Sequence, residues 1–401
     1  MIEIKEKNEC CGCYACYNKC PKHCIEMIAD SEGFVYPKVD TSVCVECGVC
    51  ENVCPMIHAP KVTDNTDNPL IAYAIRNRKY DILNESASGG FFSAIAESVL
   101  KQNGIVFGVA FDSNFIVQHC AAENVQEAER FRTSKYVQSR IDDSYCTARK
   151  ELQKGRLVCF SGTPCQIEGL RRYLGKDYEN LILVDLVCHG VPSPKLWKEY
   201  RAFQEKKFAS NIVSVNFRKK KYGYHSGLLE IVFSNGKKYY GSMRNDMMIK
   251  CFFSEISSRP SCYSCKFKHA KHSSDFTMFD SWHTSELVSG LIDDDKGYTN
   301  IFVQTEKGKN LIEELEDYIE IYPIDAEKAI LLDGSMVRNS AIAHPKRYEF
   351  YEEFNSKSLE AAVSKFIPIS TKDRFVIVFR DVLYRVGVLS KARKFVKKLK
   401  V

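Results

Sequence analysis

The chain has 401 residues, 18 cysteines and a formal charge of 57 − 51 = +6. With 45% hydrophobic and 27% charged residues it is neither disordered nor fibrous, and its length suits two or three globular domains. Residues 371–401 hold ten Lys/Arg and two Asp, which is +8 and leaves −2 on the rest, so the chain is a near-neutral body with a basic tail and no nucleic-acid partner is expected.

Ten of the 18 cysteines precede position 55. The start, Met-Ile-Glu-Ile-Lys-Glu-Lys, lacks the apolar core of a secretory signal, and no apolar run reaches the length of a bilayer span. A cytoplasmic location is therefore expected. There, clustered cysteine signals metal or redox chemistry rather than disulfides.

Cys10, Cys13, Cys16 and Cys20 precede Pro21, and Cys44, Cys47, Cys50 and Cys54 precede Pro55. Both blocks read C-x2-C-x2-C-x3-C-P, offset by 34 residues. Three cysteines so spaced wrap one face of a cubane, and the fourth reaches across to the other cluster. The expectation is two 4Fe-4S clusters: one on Cys10, Cys13, Cys16 and Cys54, the other on Cys44, Cys47, Cys50 and Cys20. A pair of zinc knuckles is the weaker alternative, since zinc needs only two C-x2-C pairs. Cys11 and Cys24 fall outside the pattern and read as small buried residues. Residues 1–57 resemble bacterial two-cluster ferredoxins, a domain that needs little core because its clusters hold it together.

Residues 58–69 are polar and proline-bounded and read as a linker. Residues 70–345 alternate strands with helices, which predicts a larger mixed α/β domain. Strands are expected at 70–75, 105–111, 157–160, 181–187, 212–217, 228–233 and 301–304, with the pair 212–217 and 228–233 antiparallel. Helices are expected from Phe91 to Leu100, closed by Gly104; from Pro164 to Leu174, capped by Thr163 and ended by Gly175; and from Pro194 to Phe208. Residues 346–401 form a basic helical tail. Its apolar residues, Phe375 to Leu389, alternate with Arg374, Arg380, Arg385, Lys391 and Arg393, a pattern that suits an anionic membrane surface, a partner, or the chain's own body.

Three segments in the large domain combine glycine, hydroxyl and cysteine. Ser86-Ala87-Ser88-Gly89-Gly90 opens a helix, where a phosphate could bind, or Ser88 could simply cap. Ser134-Lys135-Tyr136 offers a hydroxyl, a cation and a ring. In Gly162-Thr163-Pro164-Cys165, the helix dipole favours a thiolate at Cys165. Cys188 ends a strand, and Cys262-x2-Cys265 is a loop pair. From spacing alone the quartet Cys165, Cys188, Cys262 and Cys265 is a cluster, a structural zinc or unpaired thiols. Arg218-Lys219-Lys220-Lys221 reads as a solvated hairpin loop in preference to an anion site. His189 is a proton-donor candidate or a buttress of the cysteine loop.

Together these segments, with Val106-Phe107-Gly108-Val109-Ala110, Cys188-His189-Gly190-Val191-Pro192-Ser193 and Ser274-Asp275-Phe276-Thr277, resemble the coenzyme F420 hydrogenase/dehydrogenase beta subunits over residues 70–300. The resemblance implies an FAD- and iron–sulfur-dependent oxidoreductase, with a third 4Fe-4S cluster on the quartet. It places FAD near Ser88, Gly89, Gly90, Ser134, Lys135, Tyr136, Gly162 and Thr163. Implied partners are a ferredoxin-like protein or reductase and a small-molecule substrate. After Thr277 the sequence departs from the family: it continues Met278-Phe279-Asp280-Ser281-Trp282, which keeps Asp280 and Trp282 but lacks the glycine.

Overall fold

The structure, a computed structural model, describes residues 1–60 and 69–388. Most of the expected linker (61–68) and the tail from 389 onward lie outside the described residues.

In the first sixty residues β1 (Ile25–Ala29) and β2 (Val35–Val39) form an antiparallel hairpin with Ile25 opposite Val39. Two short helices, Ala15–Lys19 and Val49–Asn52, occupy equivalent places in the two cysteine blocks. Each begins after a left-handed residue, Tyr14 at φ 64° and Gly48 at φ 72°. The 34-residue sequence repeat is thus also a repeat of backbone conformation, and glycine suits the second position because it has no Cβ to oppose that φ.

Eleven strands follow: β3 (Ile71–Asn77), β4 (Ile105–Phe111), β5 (Val117–Ala122), β6 (Val158–Gly162), β7 (Leu181–Leu186), β8 (Ile212–Lys219), β9 (Leu228–Phe233), β10 (Lys238–Gly241), β11 (Phe276–Ser281), β12 (Tyr298–Val303) and β13 (Ile319–Pro323). Eight of them form a mixed sheet in the order β13-β3-β12-β11-β7-β6-β4-β5. Its centre, β4-β6-β7-β11, is parallel. Antiparallel β12, β3 and β13 extend one side, and β5 closes the other. A separate antiparallel sheet, β10-β9-β8, contains the pair expected from sequence.

The expected limits of β4, β9 and the helices Pro164–Leu174 and Pro194–Phe208 hold. Thr163 and Gln166 form a reciprocal capping box, and Gly175 closes the helix at φ 73°. Two expected caps differ. The helix Phe91–Lys101 begins after Gly90, without a side-chain cap, so Ser88 does not cap it. At its other end Asn103, φ 57°, takes the left-handed position, and Gly104 instead allows Val99 to approach closely. The hairpin β1–β2 and the strands β5, β10, β11 and β13 are additions to the expected elements. Each mixes polar and apolar residues without clean alternation, as in Phe-Thr-Met-Phe-Asp-Ser of β11, because neighbouring strands rather than periodicity fix its place.

One apolar cluster joins the N-terminal sixty residues to the sheet. Ala15, Cys16, Ile25 and Val53 share it with Phe107, Tyr145, Phe160, Ile167 and Leu170. The N-terminal segment is therefore packed onto the α/β body, where the sequence suggested a unit needing little core. The docking is polar as well. Arg259, 0% exposed, donates from Nε to the Cys10 carbonyl (2.7 Å), from Nη1 to Gln138 Oε1 (3.0 Å) and from Nη2 to the Val35 carbonyl (2.9 Å). Its guanidinium lies 4.3 Å from the centre of the Tyr36 ring. Gln138 Nε2 donates to the Cys11 carbonyl at 3.1 Å. Arg347 adds a bond from Nη1 to Glu32 Oε1 at 3.0 Å.

Arg259→Met removes a buried cation and leaves two backbone carbonyls without donors. It is expected to cost about 3 kcal/mol, measured by denaturant unfolding, with faster proteolysis within residues 1–60. Unchanged stability and protection would show that the apolar cluster alone holds the two parts together.

Candidate functional site

The N-terminal thiols fall into two groups. Cys54 stands beside Cys10, Cys13 and Cys16, close enough for the charges to act on one another. Cys20, Cys44, Cys47 and Cys50 line a cavity. The first group is buried, whereas Cys47 is exposed and Cys44 half-buried. Backbone amides point at the sulfurs: Gly12 N–H to Cys10 (3.4 Å), Glu46 N–H to Cys44 (3.4 Å) and Ile2 N–H to Cys50 (3.2 Å). Burial raises the Cys16 thiol strongly. Burial also acts to raise Cys20, but the N–H groups of Cys24, Lys22 and His23, with the Cys24 thiol, outweigh it and lower Cys20 overall.

Cys165, Cys188, Cys262 and Cys265 line another cavity, and Cys11 lines it with them. Cys165 follows Pro164 in the first turn of its helix, Cys188 lies just beyond β7, and Cys262 sits within a short helical turn before β11 that Cys265 ends. Against the helix dipole, the bond to Cys11, followed by burial, holds the Cys165 thiol well above its ordinary value. Burial raises Cys188 to about 12. Among the described residues no three His, Cys, Asp or Glu side chains converge to hold a single metal ion. The thiols instead surround volumes, and a cubane presents four separate irons to ligands arranged in that way.

Sequence reasoning set Cys11 and Cys24 aside, yet both enter these cavities. Cys11 touches both Cys13 and Cys165, bridging the first and third groups. Cys24 Sγ lies 3.5 Å from Cys20 Sγ. No spacing rule marks either residue; only the meeting of distant segments shows them.

A groove of about 490 Å³ opens at the carboxyl ends of β6, β7 and β11. That is the edge where open α/β sheets bind ligands, and the volume suits a small molecule. Ser88, Gly90, Ser134, Lys135, Tyr136, Gly162, Thr163 and His189 all line it. Gly89 is not among the lining residues. Its N–H donates to Thr299 Oγ1 (2.9 Å), and a Cβ would meet the Ile75 carbonyl at 2.2 Å, so glycine is required there for strand packing. Ser88 Oγ shares a 2.7 Å bond with Thr299 Oγ1. Lys135 Nζ donates to the carbonyls of Arg130, Arg132 and Thr133, so it fastens its own loop.

His189 lines both the groove and the quartet cavity. Its Nε2 bonds Glu255 Oε1, and its ring meets Phe252 edge-on at 5.0 Å. The structure also adds residues that the sequence reading did not place in a site. Arg218 donates from Nη1 to Asp280 Oδ2 (2.8 Å) and the Tyr136 hydroxyl (3.1 Å) and lies over the Trp282 ring, while its buried Nη2 has no partner. Lys219 bonds Glu85, Lys220 donates to three carbonyls, and Lys221 pairs with Asp381. The Arg-Lys-Lys-Lys run is thus bound into the body and is not a solvated loop. Asp185 of β7 lines the groove, and its Oδ2 lies 2.8 Å from Nδ1 of His272, which lines the quartet cavity.

The fold and site define a cysteine-rich α/β protein whose thiol-lined cavity abuts a ligand-sized groove. Residues 155–327 match the family model described as the C terminus of the coenzyme F420 hydrogenase/dehydrogenase beta subunit, and the chain is similar to that beta subunit in this region. The chain is 20% identical over 373 residues to the F component of the F(420)H(2) dehydrogenase of Methanosarcina mazei, covering 88% of this chain and 96% of that protein. It is 26% identical over 323 residues to the coenzyme F420-dependent sulfite reductase of Methanocaldococcus jannaschii. That match covers 71% of this chain but only 47% of the reductase. One polypeptide of the F420-reducing [NiFe] hydrogenase complex from Methanosarcina barkeri superposes with a TM-score of 0.45 at 14% identity, covering 75% of this chain and 93% of that one.

Cys20→Ala tests the grouping of the thiols. In anaerobically purified protein it is expected to remove the same paramagnetic signal as Cys47→Ala and to spare the signal lost in Cys13→Ala. The opposite pairing would overturn the crossed arrangement.

Proposed function

We propose that the chain is an oxidoreductase that passes electrons between 4Fe-4S clusters and FAD, to or from a small-molecule substrate or a deazaflavin-type cofactor. The observation that carries this reading is the succession of cavities. Thiols reach the surface at Cys47, continue through Cys50 beside Cys16, and pass from Cys13 through Cys11 to Cys165. Cys188 and His189 then form a wall shared with the groove.

The donor sets suit iron–sulfur clusters. They are thiols with amide N–H groups directed at several sulfurs, and among the described residues no carboxylate lines either thiol cavity apart from Glu46 beside the exposed set. Cys10, Cys13, Cys16 and Cys54 would hold one cluster, Cys20, Cys44, Cys47 and Cys50 a second, and Cys165, Cys188, Cys262 and Cys265 a third. The groove suits FAD in size and lining, with hydroxyls from Ser88, Ser134 and Thr163, the Tyr136 and Trp282 rings, and the unpartnered Arg218 nitrogen. Bound there, clusters supply single electrons and a flavin supplies two-electron chemistry. The protein's part is to hold the centres in sequence, to keep water from the buried thiols, and to place His189 with its Glu255 partner where a proton is needed. The names of the Methanosarcina and Methanocaldococcus relatives, a component of a dehydrogenase and a reductase, support an oxidoreductase role.

A second reading is an electron-transfer subunit without its own substrate, serving a partner enzyme. The relative matched along 96% of its length is itself named as one component of a larger dehydrogenase. The exposed Cys47 edge gives a ferredoxin-like protein or reductase a place to exchange electrons in either case.

Anaerobic purification followed by metal, sulfide and flavin analysis tests the proposal. The expected content is about twelve irons and one non-covalent FAD per chain. Two clusters with flavin would remove the quartet from the path. Clusters without flavin, even with micromolar FAD added, would overturn the flavoprotein reading in favour of the electron relay.

A further inference from the structure

The helix Thr371–Arg385 is turned opposite to the usual arrangement of an amphipathic helix. Phe375, Val378, Phe379, Val382 and Val386 recur at i, i+3, i+4, i+7 and i+11, which places them on one face. That face looks outward: Phe375 is 73% exposed, Val378 64% and Val386 63%. The polar face holds the helix to the body. Asp373 pairs with Arg244 at 2.7 Å, Asp381 accepts from the Tyr222 hydroxyl at 2.7 Å and pairs with Lys221, and Leu383 packs by Tyr222. Both carboxylates of the helix are therefore turned inward and neutralised by the body.

Lys372 is exposed beside the apolar stripe, and Arg385, also exposed, pairs with Asp381 at 2.8 Å along the same helix. Beyond Val388 the sequence continues with Lys391, Arg393, Lys394, Lys397, Lys398 and Lys400, and residues 389–401 contain no Asp or Glu. Among the described residues no helix is long and apolar enough to cross a membrane.

We propose that this helix, pinned to the body by its acidic face, docks the protein on an anionic phospholipid surface. Its apolar stripe enters the interface, and the net positive charge of residues 371–401 attracts the lipid phosphates. An apolar helix face exposed to solvent within a basic stretch of sequence is what an interfacial helix on an anionic leaflet requires. Charge selects an anionic lipid surface as the occupant: residues 371–401 hold ten Lys/Arg against two Asp, and both Asp are already paired. The proposal is independent of the cofactor reading.

Full-length protein sedimented with vesicles of phosphatidylcholine and phosphatidylglycerol (7:3) tests it. Binding is expected at least ten-fold tighter than to pure phosphatidylcholine and falls as salt is raised. Phe379→Glu with Val382→Glu is expected to reduce binding to the anionic vesicles at least ten-fold, with an unchanged circular dichroism spectrum and melting temperature. Phe375→Trp should show blue-shifted emission only with anionic vesicles. Equal binding to both vesicle types, binding that survives the double variant, or no binding at all would overturn the proposal. So would dimerisation of the wild-type chain, at the same concentration, that the double variant abolishes, or an acidic protein that occupies the stripe and excludes vesicles.

Discussion

The placement of Arg259 is the constraint on which the rest of the molecule depends. A guanidinium with no exposure is tolerated only where acceptors replace its water, and here they come from three separate parts of the chain: the Cys10 carbonyl, the Val35 carbonyl and Gln138. Arg259 also stands three residues before Cys262, so the contact that docks the N-terminal segment also positions the loop carrying half of the cysteine quartet. The geometry admits little variation. A Cβ on Gly12 would come within 2.9 Å of the Arg259 guanidinium and 2.6 Å of Gln138. Docking brings Cys11 against Cys165 and so makes neighbours of thiols that lie more than 150 positions apart in sequence.

The groove follows from topology in the same way. Four parallel strands end together, and the chain leaves β6 and β7 through Thr163 and Val187-Cys188-His189. Polar groups at that edge must find partners across it, and most do. Arg218 reaches Asp280 and Tyr136, Asp185 reaches His272, and Lys135 closes its own loop. The exceptions are Arg218 Nη2, Asp185 Oδ1 and His272 Nε2, buried atoms without partners at the groove and quartet cavity. Groups left so are costly unless something else completes them; Arg218 and Asp185 line the groove and His272 the quartet cavity.

The outward stripe of Thr371–Arg385 is a different departure from ordinary packing. Exposed apolar surface is unfavourable in water, and here ion pairs on the opposite face keep the helix from turning it inward. Phe375 and Phe379 stack on the outer side, with ring centres 6.4 Å apart.

The duplicated cysteine blocks, the order of the α/β elements and the capping of Pro164–Leu174 were legible in the sequence, because spacing, caps and apolar runs are local properties. β11, β13 and the first hairpin were not, because neighbours rather than periodicity place them. Nor were the shared core of the two parts, the entry of Cys11 and Cys24 into the thiol cavities, and the capture of Arg218 and the following lysines by carboxylates and carbonyls. A side chain's partner is set by segments that meet only after folding, and no spacing rule reports them. The sequence by itself determined which residue types recur and where the chain turns. Tertiary structure alone decided which thiols face one another, which cations are neutralised and which face of the last described helix meets solvent, because burial and charge pairing are properties of the folded whole.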